Sequence, residues 1–182
     1  SLQDLAAKIR NIDALIAVHM FGHVADMPAI LKIMQGKPVI EDCAQSLGSS
    51  INGKLTGKFG SISIFSFRSG KYITAGEGAA IYCREPEFKI RLESDIQSLP
   101  RPQTTQEVKH VVETWIRSQL RSWPLWGLAG SKIWKIYNKE VDFIKKTPLA
   151  LSQVFKSDLT TIKKRLANLE KLITVQREHA QY

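Results

Sequence analysis

Four side chains able to do chemistry stand near the middle of this chain. Asp42 and Gln45 fall in the segment VIEDCAQSLGS at 39–49, and Ser66 and Lys71 in FSFRSGK at 65–71. A third segment, TAGEGAAI at 74–81, follows directly. One strand ending in a carboxylate, and a next strand ending in a serine and a lysine, put Asp, Gln, Ser and Lys on one rim. Ligands of open α/β sheets bind at that rim, beyond the carboxyl ends of the strands. Taken singly, each residue has a plain structural role. Asp42 would be a turn or cap residue, Lys71 a surface lysine, and Ser66 a strand residue facing a neighbouring element. Their joint spacing carries the functional reading.

Other motifs fail on chemistry. Ser69-Gly70-Lys71 resembles the end of a phosphate-binding loop. That loop needs a glycine five positions before Gly70 and Ser or Thr after the lysine, and Phe65 and Tyr72 stand there. His19 and His23 have i, i+4 spacing near Asp26. A zinc pair needs both on one helix face, and Gly22 with the preceding strand puts them in a connection, where loop hydrogen bonding is expected. Gly76-Glu77-Gly78 alone signals a turn.

The elements that must position these residues alternate in type. Residues 2–10 read as an amphipathic helix, and LIAV at 15–18 as a buried strand. Asp26 caps a helix that carries Met27, Ile30, Leu31 and Met34, with Pro28 near its first turn. PVI at 38–40 starts a strand that ends in Glu41 and Asp42. Asn52-Gly53 marks a turn, and SISIFSF at 61–67 and GAAIYC at 78–83 read as strands. Strand, helix, strand of this kind predicts an α/β fold with a mostly parallel sheet flanked by helices. The second half is helical: 86–99, ended by Pro100 and Pro102, then 106–121. From about residue 150, Phe155, Leu159, Ile162, Leu166, Leu169 and Ile173 recur at steps of four and three, which predicts one long packed helix.

The three segments together resemble the DegT/DnrJ/EryC1/StrS family of pyridoxal-phosphate sugar aminotransferases, of fold type I. The family's E-D-x-A-Q-x-x-G pattern appears as Glu41, Asp42, Ala44, Gln45 and Gly48, its S-F-x-x-x-K as Ser66, Phe67 and Lys71, and its G-E-G-G as Gly76, Glu77, Gly78 and Ala79. HMFGHVADMPAI at 19–30 is similar to its H-x-[YF]-G-x-x-x-D-M-x-x-I stretch. The resemblance runs over about 14–84 and, more weakly, 150–182. It implies an incomplete aminotransferase large domain: a cofactor-binding part at 1–99, a Trp-rich basic helical insertion at 100–149, and a long helix at 150–182 leading to a small domain after Tyr182. The family's ring-stacking aromatic and a further phosphate contact are expected before Ser1.

The resemblance assigns each residue a role. Lys71 would link to the aldehyde of pyridoxal 5'-phosphate and later carry a proton, which requires its neutral amine, favoured by burial. Asp42 would pair with the pyridine nitrogen and keep the ring protonated. Gln45 would donate to the phenolate oxygen, Ala44 would let the ring lie flat, and Ser66 would donate to the phosphate. The implied reaction moves an amino group, from glutamate, to the keto group of a nucleotide-linked sugar, as in polysaccharide biosynthesis, in a homodimer. Lys71 argues against the family's sugar-dehydrating branch, which has histidine there. Ala79 departs from the second glycine and Tyr72 from the common asparagine after the lysine.

Composition sets the bounds. The 182 residues are 43% hydrophobic and 24% charged, enough for a core of one domain or somewhat more. Cys43 and Cys83 lack metal-ligand spacing and fit a reducing cytoplasm. The longest uncharged aromatic stretch, 122–131, is too short to span a bilayer. Of the net charge of +9, residues 101–182 carry +8 and residues 1–100 carry +1. No nucleic-acid motif accompanies it, so a solvated face or a basic mouth for an anionic substrate is expected. Two alternatives stay open: a non-catalytic truncated homologue or regulatory subunit that keeps the fold, and a basic membrane-surface module carried by the Trp-rich stretch at 115–137.

Overall fold

The computed structural model of the protein describes residues 1–120 and 151–179; these fall in two compact units, 1–97 with 158–179, and 98–120 with 151–157. Most of the Trp-rich stretch, including Trp123, Trp126 and Trp134, lies outside the described residues.

The first unit is built on a four-stranded sheet. Helix α1 (Leu2–Lys8) precedes β1 (Leu15–Val18), then α2 (Met27–Met34) leads to β2 (Val39–Asp42). A small hairpin, β3 (Ser50–Ile51) and β4 (Lys54–Leu55), turns at Asn52-Gly53, and β5 (Ile62–Ser66) and β6 (Ala79–Cys83) complete the set. The sheet order is β1-β2-β5-β6; the first three strands are parallel and β6 runs antiparallel to β5. This is the mostly parallel, helix-flanked sheet that the strand and helix alternation predicts.

Local chemistry sets the boundaries. Asp26 caps α2 by accepting the Ala29 N–H at 3.1 Å. Pro28 sits in the first turn, where no intrahelical N–H is needed, and Gln35 ends the helix in a left-handed conformation. Met27, Ile30 and Met34 form the buried stripe of α2 and pack with Ala17, Val39 and Phe59 on one sheet face. Lys37 ties the segment after α1 to this core, since its Nζ donates to the Ile9 and Ile12 carbonyls at 2.7 Å.

Strand register fixes what each face carries. Ala17, Glu41 and Ser63 lie side by side on the covered face, all buried. Val18, Asp42, Ile64 and Ile81 lie side by side on the opposite face, where Val18, Ile64 and Ile81 are exposed. Side chains alternate along a strand, so Ser66 shares the face of Ile64 and therefore of Asp42.

The C-terminal segment differs from the single long helix expected. It forms α5 (Lys156–Leu166) and α6 (Leu169–His179); the numbering follows α3 (Pro86–Ser98) and α4 (Thr104–Leu120). The break falls at Ala167-Asn168. Asn168 N–H turns back to the Arg165 carbonyl, and its side-chain amide donates to Lys164 O at 2.9 Å, satisfying carbonyls at the end of α5. Of the predicted stripe, Ile162 is buried, Phe155, Leu169 and Ile173 are half-buried, and Leu159 and Leu166 are exposed.

In the second unit, the Glu107 carboxylate on α4 accepts the N–H groups of Lys156 and Ser157 at 3.1 and 2.9 Å, and the His110 ring stacks on Phe155 at 3.9 Å. Val108, Val111, Val112, Trp115 and Ile116 on α4 are exposed. Among the described residues, no helix is long and apolar enough to cross a membrane.

Candidate functional site

The rim is formed where β2 and β5 end. Asp42 is the last residue of β2, half-buried, and its Oδ1 accepts the Ala44 N–H at 3.0 Å. That contact closes a short turn and holds Ala44 and Gln45 just beyond the strand. Ser66, the last residue of β5, is half-buried and faces the same way as Asp42. Lys71 lies in the loop that leaves β5. The loop is closed at its base, where Phe67 N–H donates to Gly78 O and Ala75 N–H to Phe67 O at 2.9 Å. Lys71 N–H donates to Arg68 O, and the Thr74 hydroxyl donates to Lys71 O at 2.8 Å, so the backbone on both sides of the lysine is held. Among the described residues, the Lys71 Nζ makes no hydrogen bond or ion pair.

The Gly-Glu-Gly turn is clamped from a distance. The Glu77 N–H donates to Asp158 Oδ2 on α5 at 3.0 Å, and Asp158 is buried. Gly76 has φ +106, and a Cβ there would sit 2.7 Å from Asp158 Oδ1. Only glycine suits both the conformation and the close approach.

Beneath the rim lies a buried hub centred on Glu41, which motif reading did not single out as a positioning group. Its carboxylate accepts N–H groups from Gly57 at 2.8 Å, Phe59 at 2.7 Å and Gly60 at 2.6 Å, and stands 3.1 Å from His19 Nε2. The Ala25 N–H donates to His19 Nδ1, which puts the ring proton on Nε2, aimed at Glu41. Burial pushes the Glu41 carboxyl up, but the His19 ring and the Gly60, Gly57 and Phe59 N–H groups outweigh it and hold it at about 2. Cys43 lies within 4.8 Å of both groups. The donors around Glu41 already fill its lone pairs, so the cluster is a structural network binding β1, β2 and the turn before β5. Strand alternation was the available signal: Glu41 must face the sheet side opposite Asp42.

A cavity of about 340 Å³ lies beside the rim and is lined by Gln45, Ser49, Tyr72, Gln176, Arg177 and Phe21, together with Leu47, Ile173 and two glycines. Of the sequence-derived candidates it includes Gln45; Asp42, Ser66 and Lys71 are not in its walls.

Asp42 and Ser66 thus end neighbouring parallel strands on one face of the sheet, with Gln45 just beyond β2 and Lys71 on the loop that leaves β5. The family model of the DegT/DnrJ/EryC1/StrS aminotransferases matches residues 2–112, and the chain belongs to that family. It is 44% identical over 84 residues to GDP-perosamine synthase of Escherichia coli O157:H7, covering 44% of this chain and 23% of that protein. It is also 44% identical over 90 residues to a UDP-N-acetyl-3-dehydro-alpha-D-glucosamine 3-aminotransferase of Acidithiobacillus ferrooxidans, covering 48% and 24%. The crystal structure of 3-amino-5-hydroxybenzoic acid synthase aligns over 56% of this chain and 28% of that one, with 35% identity and a TM-score of 0.49. The chain thus spans about a quarter of the length of the curated relatives it matches.

Proposed function

We propose that this chain supplies the cofactor-holding rim of an enzyme that transfers an amino group, from glutamate, to the keto group of a nucleotide-linked sugar. Pyridoxal 5'-phosphate, when bound, supplies an aldehyde that takes up the amino group and a ring that draws electrons from the reacting carbon. Membership of the aminotransferase family supports the reading, as do the relatives named for nucleotide-sugar substrates. The observation that carries it is the shared face of Asp42 and Ser66 at neighbouring strand ends, with Lys71 on the loop that follows.

The residues present fit such a group. Asp42 spends Oδ1 on Ala44 N–H and keeps Oδ2 for a protonated ring nitrogen. Gln45 offers an amide donor, Ala44 a small surface under a flat ring, and the Ser66 hydroxyl a donor for phosphate. Lys71 holds and moves the proton, because its Nζ is committed to no other group among the described residues. A homodimer, a cytoplasmic location and a part in making polysaccharide precursors belong to the same proposal. The two free cysteines agree with a reducing compartment.

Lys71→Ala in the whole protein tests it. No neighbouring side chain offers a substitute amine, since Arg68 stays charged and cannot take the role. Turnover and the visible absorbance of lysine-linked cofactor should vanish together, while the circular dichroism spectrum is unchanged. Transamination that persists in this variant without added amine would end the proposal.

A further inference from the structure

We infer that the cavity beside the rim is a binding subsite for the anionic group of an organic substrate, with Arg177 as its counter-charge and the Tyr72 hydroxyl as a donor. Three independent features converge there.

The first is charge. Arg177 lines the cavity and pairs with no carboxylate among the described residues, and no Asp or Glu side chain lines the walls. A guanidinium that shares a cavity with the amide and hydroxyl groups of Gln45, Ser49 and Gln176, among apolar Leu47 and Ile173, attracts carboxylate or phosphate.

The second is an orphaned polar atom. The Tyr72 hydroxyl is buried and has no hydrogen-bond partner among the described residues. Buried hydroxyls are rarely left so, and an acceptor oxygen placed in the cavity satisfies it. Burial pushes the Tyr72 phenol up and the nearby Arg177 charge draws it down, so the two groups sense each other.

The third is backbone construction. Gly48 has φ +83, and a Cβ there would lie 2.4 Å from Ile173 Cδ1, so α6 lies directly on this glycine. Arg177 follows Ile173 by four positions and shares its helix face, which aims the guanidinium over the same wall. Phe21, also in the lining, is 80% exposed and holds a left-handed φ of 51, unusual for an aromatic residue. The next N–H, of Gly22, donates to Gln45 O at 3.0 Å, so the strained turn is fastened to the cavity wall.

The bound group is thus a carboxylate or a phosphate. Under the proposed amino transfer, the first comes from the amino-acid donor and the second from the nucleotide-linked acceptor. The source rests on that reading; the anion site rests on the cavity alone.

The test is calorimetric titration of the chain with L-glutamate and, separately, with uridine diphosphate, in wild type, Arg177→Gln, Tyr72→Phe and the remote control Lys89→Gln. One of the two probes should bind. Arg177→Gln should weaken it about tenfold or more, as expected for a lost charge-assisted contact. Tyr72→Phe should weaken it less, and Lys89→Gln should leave it unchanged. Glutamate alone assigns the donor, and uridine diphosphate alone the acceptor. Equal affinity in wild type and Arg177→Gln, or no binding of either probe by a chain with a native circular dichroism spectrum, overturns the subsite. Visible absorbance after adding pyridoxal phosphate to the same samples separates the two ideas. Lysine-linked cofactor without Arg177-dependent binding ends the subsite and leaves the transfer reading intact. Arg177-dependent binding without linked cofactor does the reverse.

Discussion

His19 Nε2 stands 3.1 Å from Glu41 Oε2, with both side chains fully excluded from solvent. The pair joins the end of β1 to β2, and the three N–H groups that Glu41 also accepts fix the turn at 57–60. Glu41 and Asp42 are adjacent carboxylates on opposite faces: one organises the scaffold and the other faces the open side.

The Glu41 arrangement makes stability depend on acid in a defined window. Its folded carboxyl is held at about 2, below the ordinary 4.5. A depressed folded value contributes stability that is complete above the unfolded value and is lost as pH falls through the folded one. The contribution, about 3 kcal/mol by linkage, should therefore fade between pH 4.5 and 2. Urea titrations across that range should show it. Glu41→Gln should destabilise the fold at neutral pH by about 2–4 kcal/mol, because buried donors lose their acceptor, and should flatten the acid dependence.

Gly76→Ala should cost more than about 1 kcal/mol, since it combines a left-handed backbone with a side chain driven into a buried carboxylate. Thermal melting of the two proteins checks this. A variant as stable as wild type would mean that the Asp158 clamp on Glu77 yields freely.

Cys43 should resist alkylation in the native state. Burial above all, then the Glu41 charge, pushes its thiol up to about 12, and the thiolate is the reactive form. Mass spectrometry after brief iodoacetamide treatment at pH 8 should find half-buried Cys83 modified first, and Cys43 only after urea is added.

Asp42→Asn in the whole protein should separate cofactor binding from turnover. The visible absorbance of bound cofactor should persist, because Lys71 is intact. Turnover should fall by about 3 kcal/mol of barrier, the scale of a lost electrostatic group in an active site. Unchanged turnover would remove Asp42 from the chemistry.

Much of the frame could be read from the residues. The apolar runs at 15–18 and 61–67, the Asp26 cap and the early Pro28 name their elements, because burial and capping act over a few residues. The shared face of Asp42 and Ser66 also follows from strand alternation once the two strands pair. What escaped depends on distant contacts. Nothing near Glu41 announces that the turn at 57–60 will fold onto it. Nothing near Gly48 says that Ile173 will lie on it and carry Arg177 to Gln45. The break between α5 and α6 has no Gly or Pro to mark it; Asn168 makes it through hydrogen bonds that sequence periodicity does not register.

The antiparallel return of β6 has a consequence for the order of assembly. Ser66 pairs with Ala79 close by in sequence, so the hairpin carrying Lys71 closes through local contacts with a small entropic penalty. The Asp158 contact that grips the same loop joins residues 81 positions apart. The lysine loop can therefore form while the chain is still being synthesised, and the clamp can lock it only after the ribosome has delivered α5.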